Sequence, residues 1–267
     1  MPLLHLILIA AIQGLTEFLP VSSSAHLILL PNLTRLDDQG QAIDVAVHVG
    51  TLFAVMLFFW SDVKLALSGI PRALIGRIDT EGSKLAFLLM ISSIPVVAFG
   101  LILKLTGLDQ ELRSIAVIGW TMLIFGVVLY WADQAGESDQ EAKDWSLRDA
   151  MVMGVWQAIA LIPGVSRSGI TITGARFMGY ARPDAARLAM LMSIPVIIES
   201  GVLLTTQSAY NNDLGLMRDG AIAAAFSFVA ALFALSLMMR LLRSISFTPY
   251  VIYRVVLGLI LLGIAYT

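Results

Sequence analysis

Six apolar stretches, each about 20 residues long, constrain most strongly what this chain can fold into. A helix of about 20 residues crosses the hydrocarbon core of a bilayer. With 58% hydrophobic and 13% charged residues, the chain is too apolar to be a soluble domain with a polar surface. We therefore predict an all-α polytopic membrane protein that forms a single integral membrane domain over residues 1–267, with no nucleic-acid partner. The predicted spans are 43–60, 84–103, 114–131, 185–206, 220–239 and 248–266.

Two further apolar segments, 2–31 and 149–181, are interrupted by polar motifs. The first motif runs from Gln13 to His26 and contains Pro-Val-Ser-Ser-Ser, and the second is Pro-Gly-Val-Ser-Arg-Ser-Gly-Ile-Thr at 163–171. Proline and glycine break a helix and leave backbone N–H groups without helical partners. We predict that each segment is a re-entrant pair of half-helices around its break.

The two halves of the chain, about 1–131 and 149–267, then share one plan: a half-helix pair followed by three transmembrane helices. Because three is an odd number, the second half must be inverted relative to the first. A repeated sequence pattern agrees with this plan, since Gln13 lies eight residues before Val-Ser-Ser-Ser and Gln157 lies eight before Val-Ser-Arg-Ser. We predict two inverted-topology repeats, with a site at their interface near the middle of the membrane.

The distribution of Lys and Arg predicts the orientation. If both half-helix pairs return to the side that they entered, ten basic residues lie on one face and four on the other. The positive-inside rule makes the first face cytoplasmic, so the mouth of the first pair opens outward. Segment 61–83 is predicted to be a loop on the cytoplasmic face. The ten residues are Lys64, Arg72, Arg77, Lys84, Lys143, Arg148, Arg182, Arg187, Arg240 and Arg243, against Arg35, Lys104, Arg113 and Arg218.

The first motif combines groups that a bilayer-embedded segment does not need for folding. Pro20 ends one half-helix and a serine of Ser22–Ser24 caps the next, so the positive end of that helix suits an anion. Gln13 and Glu17 are four residues apart and share a helix face. With His26, they supply the carboxylate, imidazole and hydroxyl needed for nucleophilic attack with proton transfer, or for holding a divalent cation. A serine cap and a structural histidine are the alternatives.

The second motif is typical of phosphate binding. Its glycines let the backbone approach a ligand, and Arg167 adds a permanent, forked cation. Ser166, Ser168 and Thr171 add hydroxyl groups. The motif is not a Walker loop, because the lysine and the glycine spacing of that loop are missing. The alternative is a kinked helix whose arginine reaches the membrane interface.

Taken together, the two motifs resemble those of the bacterial undecaprenyl pyrophosphate phosphatases, also called bacitracin-resistance proteins. The likeness covers essentially the whole chain, including Ser-Phe-Thr-Pro-Tyr-Val-Ile-Tyr-Arg at 246–254. It implies removal of the terminal phosphate of undecaprenyl pyrophosphate, which recycles the lipid carrier for peptidoglycan and other envelope polymers. It also implies a divalent cation, Mg²⁺ or Ca²⁺, and the bacterial inner membrane, where the outward mouth inferred from the basic residues would face the periplasm; a homodimer is compatible with it. The family accepts Glu or Gln at the position of Gln13 and has Glu at that of Glu17.

Family pattern and residue chemistry together suggest a role for each residue. Ser23 is the nucleophile or a hydroxyl beside the phosphate, and water activated by Glu17 and a cation would use the same residues. His26 is the general acid or base, Glu17 the metal ligand or orienting base, and Arg167 the clamp on the pyrophosphate charge. The residues expected to bind phosphate oxygens are Ser22, Ser24, Ser166, Ser168 and Thr171, with Gln13 in support.

Four polar residues outside the motifs have open roles. Asp44 and His48, four residues apart at the start of a span, either support the site or form an interfacial pair. Glu199 lies deep in its span, and Arg254 either partners it or lies at the cytoplasmic interface. A lipid-carrier flippase or secondary transporter is the alternative function, because such proteins also use inverted repeats with broken helices. A structural or signalling protein would not need these polar groups in the membrane.

Overall fold

The computed structural model describes residues 1–34, 40–108, 112, 114–135, 139–208 and 214–267, and of 31–34, 200, 202–208 and 214 only the backbone. Over these residues the chain is all-helical, with eleven α-helices, one 3₁₀ turn at Ala142–Asp144 and no strand, so the predicted all-α fold is confirmed. The helices are α1 (Leu3–Thr16), α2 (Ser23–Thr34), α3 (Gly40–Phe58), α4 (Trp60–Leu74), α5 (Glu81–Thr106), α6 (Ile115–Ala135), α7 (Leu147–Ile159), α8 (Arg167–Phe177), α9 (Arg182–Ser208), α10 (Leu214–Leu241) and α11 (Thr248–Tyr266).

Within the described ranges, five helices are long and apolar enough to cross a membrane: α3, α5, α6, α10 and α11. They coincide with five of the six predicted spans. The sixth, 185–206, falls on α9, where many side chains lie outside the described residues, so it stays a prediction. Large apolar side chains such as Phe53, Phe233 and Leu259 face outward and are 58%, 62% and 56% exposed. An apolar outer surface on helices of this length is that of a multi-pass membrane protein.

Both polar motifs interrupt helices, as the sequence predicts. Residues 17–22 separate α1 from α2, and residues 160–166 separate α7 from α8; we call these segments the first break and the second break. The second break turns at Gly164, whose φ of 88° favours glycine. A β-carbon there would lie 2.2 Å from Thr121 Oγ1, so no other residue fits without movement of α6.

The prediction of a loop at 61–83 is wrong over most of its length, because α4 covers Trp60–Leu74. The segment carries enough charge to resemble a loop, but its apolar residues recur at helical spacing. Val63, Ala66 and Ala73 are buried, and α4 packs along α5. An amphipathic helix that lies against one neighbour and leaves its charged face outside explains the misassignment.

Helices of the two halves pack crosswise. The helix before the first break, α1, packs on α10 of the second half, and the helix before the second break, α7, packs on α5 of the first half. In addition, α3 packs on α9 and α10, and α6 packs on α11. Small residues allow this closeness: a β-carbon on Gly154 would lie 2.5 Å from the carbonyl oxygen of Ser92. Each broken helix pair is therefore held by the other half of the chain.

A buried charged cluster ties the end of α6 to α8, α9 and the start of α11. Asp133 Oδ1 accepts a hydrogen bond from Arg182 Nε at 2.7 Å and lies 3.3 Å from Arg176 Nε. Its Oδ2 accepts from the backbone N–H of Phe247 at 3.0 Å. Asp133 and Arg176 are 2% and 1% exposed. We call these four residues the Asp133 cluster.

Candidate active site

The first break places a carboxylate beside a serine hydroxyl. Gln13 Nε2 donates a hydrogen bond to Glu17 Oε2 at 2.8 Å, which is the contact expected from their four-residue spacing. Ser23, the first residue of α2, donates from Oγ to the same carboxylate oxygen at 2.7 Å. Glu17 thus holds the Ser23 hydroxyl by a hydrogen bond through which it can accept that proton.

Arg167 joins the second break to the first. Its Nη2 donates to Glu17 Oε1 in a salt bridge, and its Nη1 donates to the carbonyl oxygen of Ser193 in α9 at 3.2 Å. The side chains of Glu17 and Arg167 are 7% and 17% exposed. Two charges so far from water are tolerated only when further hydrogen bonds compensate them, and both oxygens of Glu17 are hydrogen-bonded here. The two motifs, 150 residues apart, therefore meet at one ion pair.

A cavity of about 430 Å³ lies beside this ion pair, within the usual size range of small-molecule sites. Most of the residues proposed from the sequence line it. Helix α3 contributes Asp44, Val45 and His48, and α9 contributes Val196, Ile197 and Gly201. The lining residues predicted from the two motifs are Gln13, Glu17, Ser22, Ser23, Ser24, Ser166 and Arg167.

The two breaks have matching backbone geometry. Ser22 has a φ of 74° and Ser166 a φ of 70°, and among the residues with described backbone they are the only ones other than glycine with positive φ. This conformation is unfavourable for an L-residue with a side chain. In the first break, the hydroxyl oxygens of Ser22 and Ser24 are 3.2 Å apart, and in the second those of Ser166 and Ser168 are also 3.2 Å apart. The sequence pattern that recurs in the two halves thus corresponds to a repeated local structure.

Three predicted site residues do not line the cavity. His26 donates from Nδ1 to the carbonyl oxygen of Ser22 at 2.7 Å, and the Tyr253 hydroxyl donates to its Nε2 at 2.5 Å. Ser168 donates across the halves to the carbonyl oxygen of Leu19 at 3.0 Å. Thr171 donates to the backbone carbonyl oxygen of its own helix, at Arg167. In this conformation, His26 and Ser168 bond to the backbone of the first break, Thr171 bonds within α8, and none of the three lines the cavity.

Asp44 and His48, whose role the sequence leaves open, both reach the cavity. His48 Nδ1 donates to the carbonyl oxygen of Asp44 at 2.7 Å, so the proton of the neutral ring is on Nδ1. Its Nε2 lies 3.9 Å from Glu17 Oε2. Their position beside Glu17 favours support of the site over a plain interfacial pair. Their spacing on one helix face was the signal, but the sequence does not show which neighbour that face meets.

Arg254 lies behind the cavity, and sequence reasoning did not find its position. It is 1% exposed and donates to the carbonyl oxygens of Met122, Pro20 and Gly164 at 3.3, 3.4 and 3.2 Å. No contact with Glu199 is among these, so neither a Glu199 pair nor an interfacial position describes it. The signal available in the sequence was a lone arginine within an apolar span.

The electrostatics of the cavity favour an anion with several oxygens. Helices α2 and α8 both begin at the cavity, so their free N–H groups and positive ends lie near it. The forked guanidinium of Arg167 adds a full positive charge, and hydroxyl groups surround it. Glu17 and Ser23 provide a proton acceptor beside a nucleophile. This is an arrangement that can bind a phosphate group and attack it.

Fold and site together define a polytopic, all-helical membrane protein with a serine, carboxylate and arginine site built from two broken helix pairs. The chain belongs to the family described as bacitracin resistance protein BacA, whose model matches residues 6–260. It is similar to three proteins named undecaprenyl-diphosphatase. That of Ruegeria pomeroyi is 68% identical over 267 residues, and that of Jannaschia sp. 68% over 266, each match covering 100% of both chains. That of Teredinibacter turnerae is 43% identical over 265 residues, with 98% of both chains covered.

Proposed function

We propose that this protein is an undecaprenyl-diphosphatase. It removes the terminal phosphate of undecaprenyl pyrophosphate in the membrane, and so recycles the lipid carrier for peptidoglycan and other envelope polymers and contributes to bacitracin resistance. The observation that carries the proposal is the contact of Ser23 and Arg167 with one carboxylate, Glu17, inside a cavity of a membrane protein. Full-length similarity to proteins named for this activity supports the choice of substrate.

The geometry favours a serine nucleophile. Ser23 Oγ attacks the terminal phosphorus, its proton passes to Glu17 Oε2, and the bond from that phosphorus to the bridging oxygen breaks. Undecaprenyl phosphate leaves, and water then hydrolyses the phosphoserine. Arg167 binds the phosphate oxygens with its fork, helped by the cavity hydroxyls of Ser22, Ser24 and Ser166. Direct attack by a water held at Glu17 is the alternative route.

A role for His26 as general acid or base stays a prediction. Its Nε2 is occupied by the Tyr253 hydroxyl and its Nδ1 by the carbonyl oxygen of Ser22, so the ring must turn before it can exchange a proton with substrate. The same holds for phosphate binding by Ser168 and Thr171, because both hydroxyls are donated to backbone carbonyls. Substrate would have to displace these bonds.

The residues of the cavity fit a hard divalent cation such as Mg²⁺ or Ca²⁺. Gln13 Oε1 is buried and has no hydrogen-bond partner among the described residues, and the carboxylates of Glu17 and Asp44 line the same cavity. The described ranges contain no group of three or more acidic, histidine or cysteine side chains suited to a metal. Glu17, Asp44 and Gln13 would hold such a cation through their oxygen atoms. When bound, it neutralises the charge of the pyrophosphate.

We also propose the predicted topology: two inverted repeats, each with a re-entrant helix pair, in the bacterial inner membrane. The paired breaks, their matching conformations at Ser22 and Ser166, and the crosswise packing support the repeats. The ten-to-four distribution of basic residues supports a cavity that opens to the periplasm. A homodimer stays a prediction.

Phosphate release by the purified protein from undecaprenyl pyrophosphate tests the activity. We expect release that requires Mg²⁺ or Ca²⁺, stops with a chelator, and falls sharply in Ser23→Ala. A matched control is Ser236→Ala, which changes an exposed serine of α10 whose hydroxyl bonds only to its own helix. A protein that releases no phosphate but moves the lipid between leaflets of a vesicle would favour the flippase alternative.

A further inference from the structure

Arg254 is a cation held by backbone groups alone. It is 1% exposed, and its hydrogen bonds run to three carbonyl oxygens; no carboxylate among the described residues forms a salt bridge with it. A buried guanidinium without a counter-charge is costly inside a membrane. Such a group is expected only where its hydrogen bonds fix something that the protein needs.

Two of the three carbonyls belong to the breaks. Arg254 Nη1 donates to Pro20 in the first break and Nη2 to Gly164 in the second, at 3.4 and 3.2 Å. Carbonyls next to a broken helix lack their helical partners, so a donor from elsewhere must satisfy them. The planar guanidinium reaches both at once in fixed directions, which a lysine ammonium on a flexible stem does not.

The positions of these carbonyls relate directly to the site. Pro20 precedes Ser23 by three residues, and Gly164 precedes Arg167 by three residues. Ser23 and Arg167 are the two residues that contact Glu17 from α2 and α8. One side chain therefore holds the backbone at equivalent points of the two breaks, each just before a residue of the site.

Arg254 is itself well anchored. Its Nε donates to the carbonyl oxygen of Met122, and α11 packs along α6, where Gly126 leaves room for the arginine stem. A β-carbon on Gly126 would lie 3.2 Å from Cβ of Arg254. Arg254 does not line the cavity, so it acts on the site through the breaks.

We propose that Arg254 is a positioning residue that sets the distance between Ser23 and Arg167 at Glu17 by holding the carbonyls of Pro20 and Gly164. This inference rests on the proposed phosphatase function. It predicts that the two halves of the site lose their alignment when the guanidinium fork is lost, even though every residue that contacts substrate remains.

The first test is Arg254→Lys, measured with undecaprenyl pyrophosphate. Losing two charge-assisted hydrogen bonds at the breaks should lower kcat by ~10-fold or more, while KM changes by less than ~3-fold because the cavity lining is intact. The control is Arg243→Lys, an exposed arginine, which should leave both constants unchanged. Arg254→Lys with unchanged kcat would overturn the proposal.

A double-mutant cycle separates positioning from a general folding defect. In a Ser23→Ala background, position 23 has no hydroxyl left to align. Arg254→Lys should therefore reduce the residual activity by less than ~3-fold. A folding defect would instead lower activity by the same factor in both backgrounds, and that result would contradict a positioning role. If wild type releases no phosphate, the proposed function fails first; if wild type is active and only this cycle is additive, the inference about Arg254 fails alone.

If Arg254→Lys does not fold, Gly169→Ala tests the same proposal, because Gly169 lies in α8 next to the guanidinium of Arg254. A β-carbon at Gly169 would lie 2.8 Å from Arg254 Nη1, so the guanidinium must shift while its charge stays. We expect lower kcat here too, and kcat rather than KM is the criterion, because the same β-carbon would lie 3.2 Å from Oγ of the cavity residue Ser166. Normal kcat in a variant that displaces Arg254 would overturn the proposal.

Discussion

Asp133 and Glu17 are buried carboxylates that each pair with arginine, and their surroundings differ. Asp133 is sealed among two guanidinium groups and a backbone N–H, and it is 2% exposed. Glu17 pairs with one guanidinium, but its other partners are an amide and a hydroxyl, and it borders a cavity of about 430 Å³. Both pairs join distant parts of the chain.

The same ion-pair chemistry can serve stability in one place and reactivity in another. In the Asp133 cluster two arginines share one carboxylate, so its loss leaves two like charges close together, one of them on the buried Arg176. Beside the cavity, Arg167 can be solvated or can bind an incoming anion when its carboxylate is lost. Access to a cavity, rather than the ion pair itself, distinguishes the candidate active site.

Asp133→Asn should have the largest effect, on stability. Removing one partner of a buried charged cluster costs about 3–5 kcal/mol, because the buried Arg176 and the partly exposed Arg182 both lose the carboxylate that they share. We expect a clearly lower melting temperature of the purified protein in detergent, with near-normal phosphate release per folded molecule. The control is Asp79→Asn, which breaks the exposed pair with Arg72 and should leave the melting temperature unchanged. Equal stability of both variants would remove the distinction between the two regions.

Glu17→Gln should have the opposite effect: a large loss of activity with a smaller loss of stability. The substitution is nearly isosteric and keeps hydrogen bonding to Ser23 and Gln13, but it removes the charge that accepts a proton or holds a cation. Phosphate release should fall by ~100-fold or more, while the melting temperature falls less than in Asp133→Asn. A variant that hydrolyses normally, or whose only defect is lipid movement between leaflets, would count against the role of Glu17.

Arg167→Lys should have a smaller effect on activity. Lysine keeps the charge but cannot bond Glu17, Ser193 and two phosphate oxygens in one plane. We expect phosphate release to fall by ~10- to 100-fold, as for the loss of one or two charge-assisted hydrogen bonds. The same substitution at Arg187, whose carboxylate partner is Asp62, lies outside the cavity and should change turnover by less than ~3-fold. Near-normal turnover in Arg167→Lys would show that charge suffices.

The smallest perturbation tests which side each region faces. The chain has no cysteine, so single cysteines can be labelled selectively. Ser24→Cys, exposed at the cavity, should react with an impermeant thiol reagent added to intact spheroplasts. Glu141→Cys, exposed in the segment that follows α6, should react only after lysis. Reversed labelling would invert the predicted orientation.

Much of the fold follows from the sequence because apolar length and helix-breaking residues are local signals. Five spans and both breaks were predictable in this way. Helix α4 was not predictable, because its charged face makes 61–83 resemble a loop. Its apolar face is covered by α5, and the sequence does not show that contact. Spacing within a helix identifies a face, but not the neighbour that it meets.

In the candidate site, too, contacts between residues close in sequence were predictable and contacts between the two halves were not. Gln13, Glu17 and Ser23 are close in sequence; the contact of Gln13 with Glu17 follows from helix spacing, and that of Ser23 follows from the short break between α1 and α2. The direction of the His26 ring depends on Tyr253, which is 227 residues away. The position of Arg254 depends on both breaks at once. Contacts across the two halves are set by packing, which a single sequence does not reveal.

The volume of the cavity has a consequence for how the enzyme meets its substrate. A space of about 430 Å³ holds a pyrophosphate head group, but not the long polyprenyl chain attached to it. The chain must stay among the lipids while the head group reacts, so enzyme and substrate encounter each other by lateral diffusion in two dimensions. The relevant concentration is then the mole fraction of substrate in the bilayer or micelle. Adding inert detergent at constant bulk substrate should slow the reaction by surface dilution.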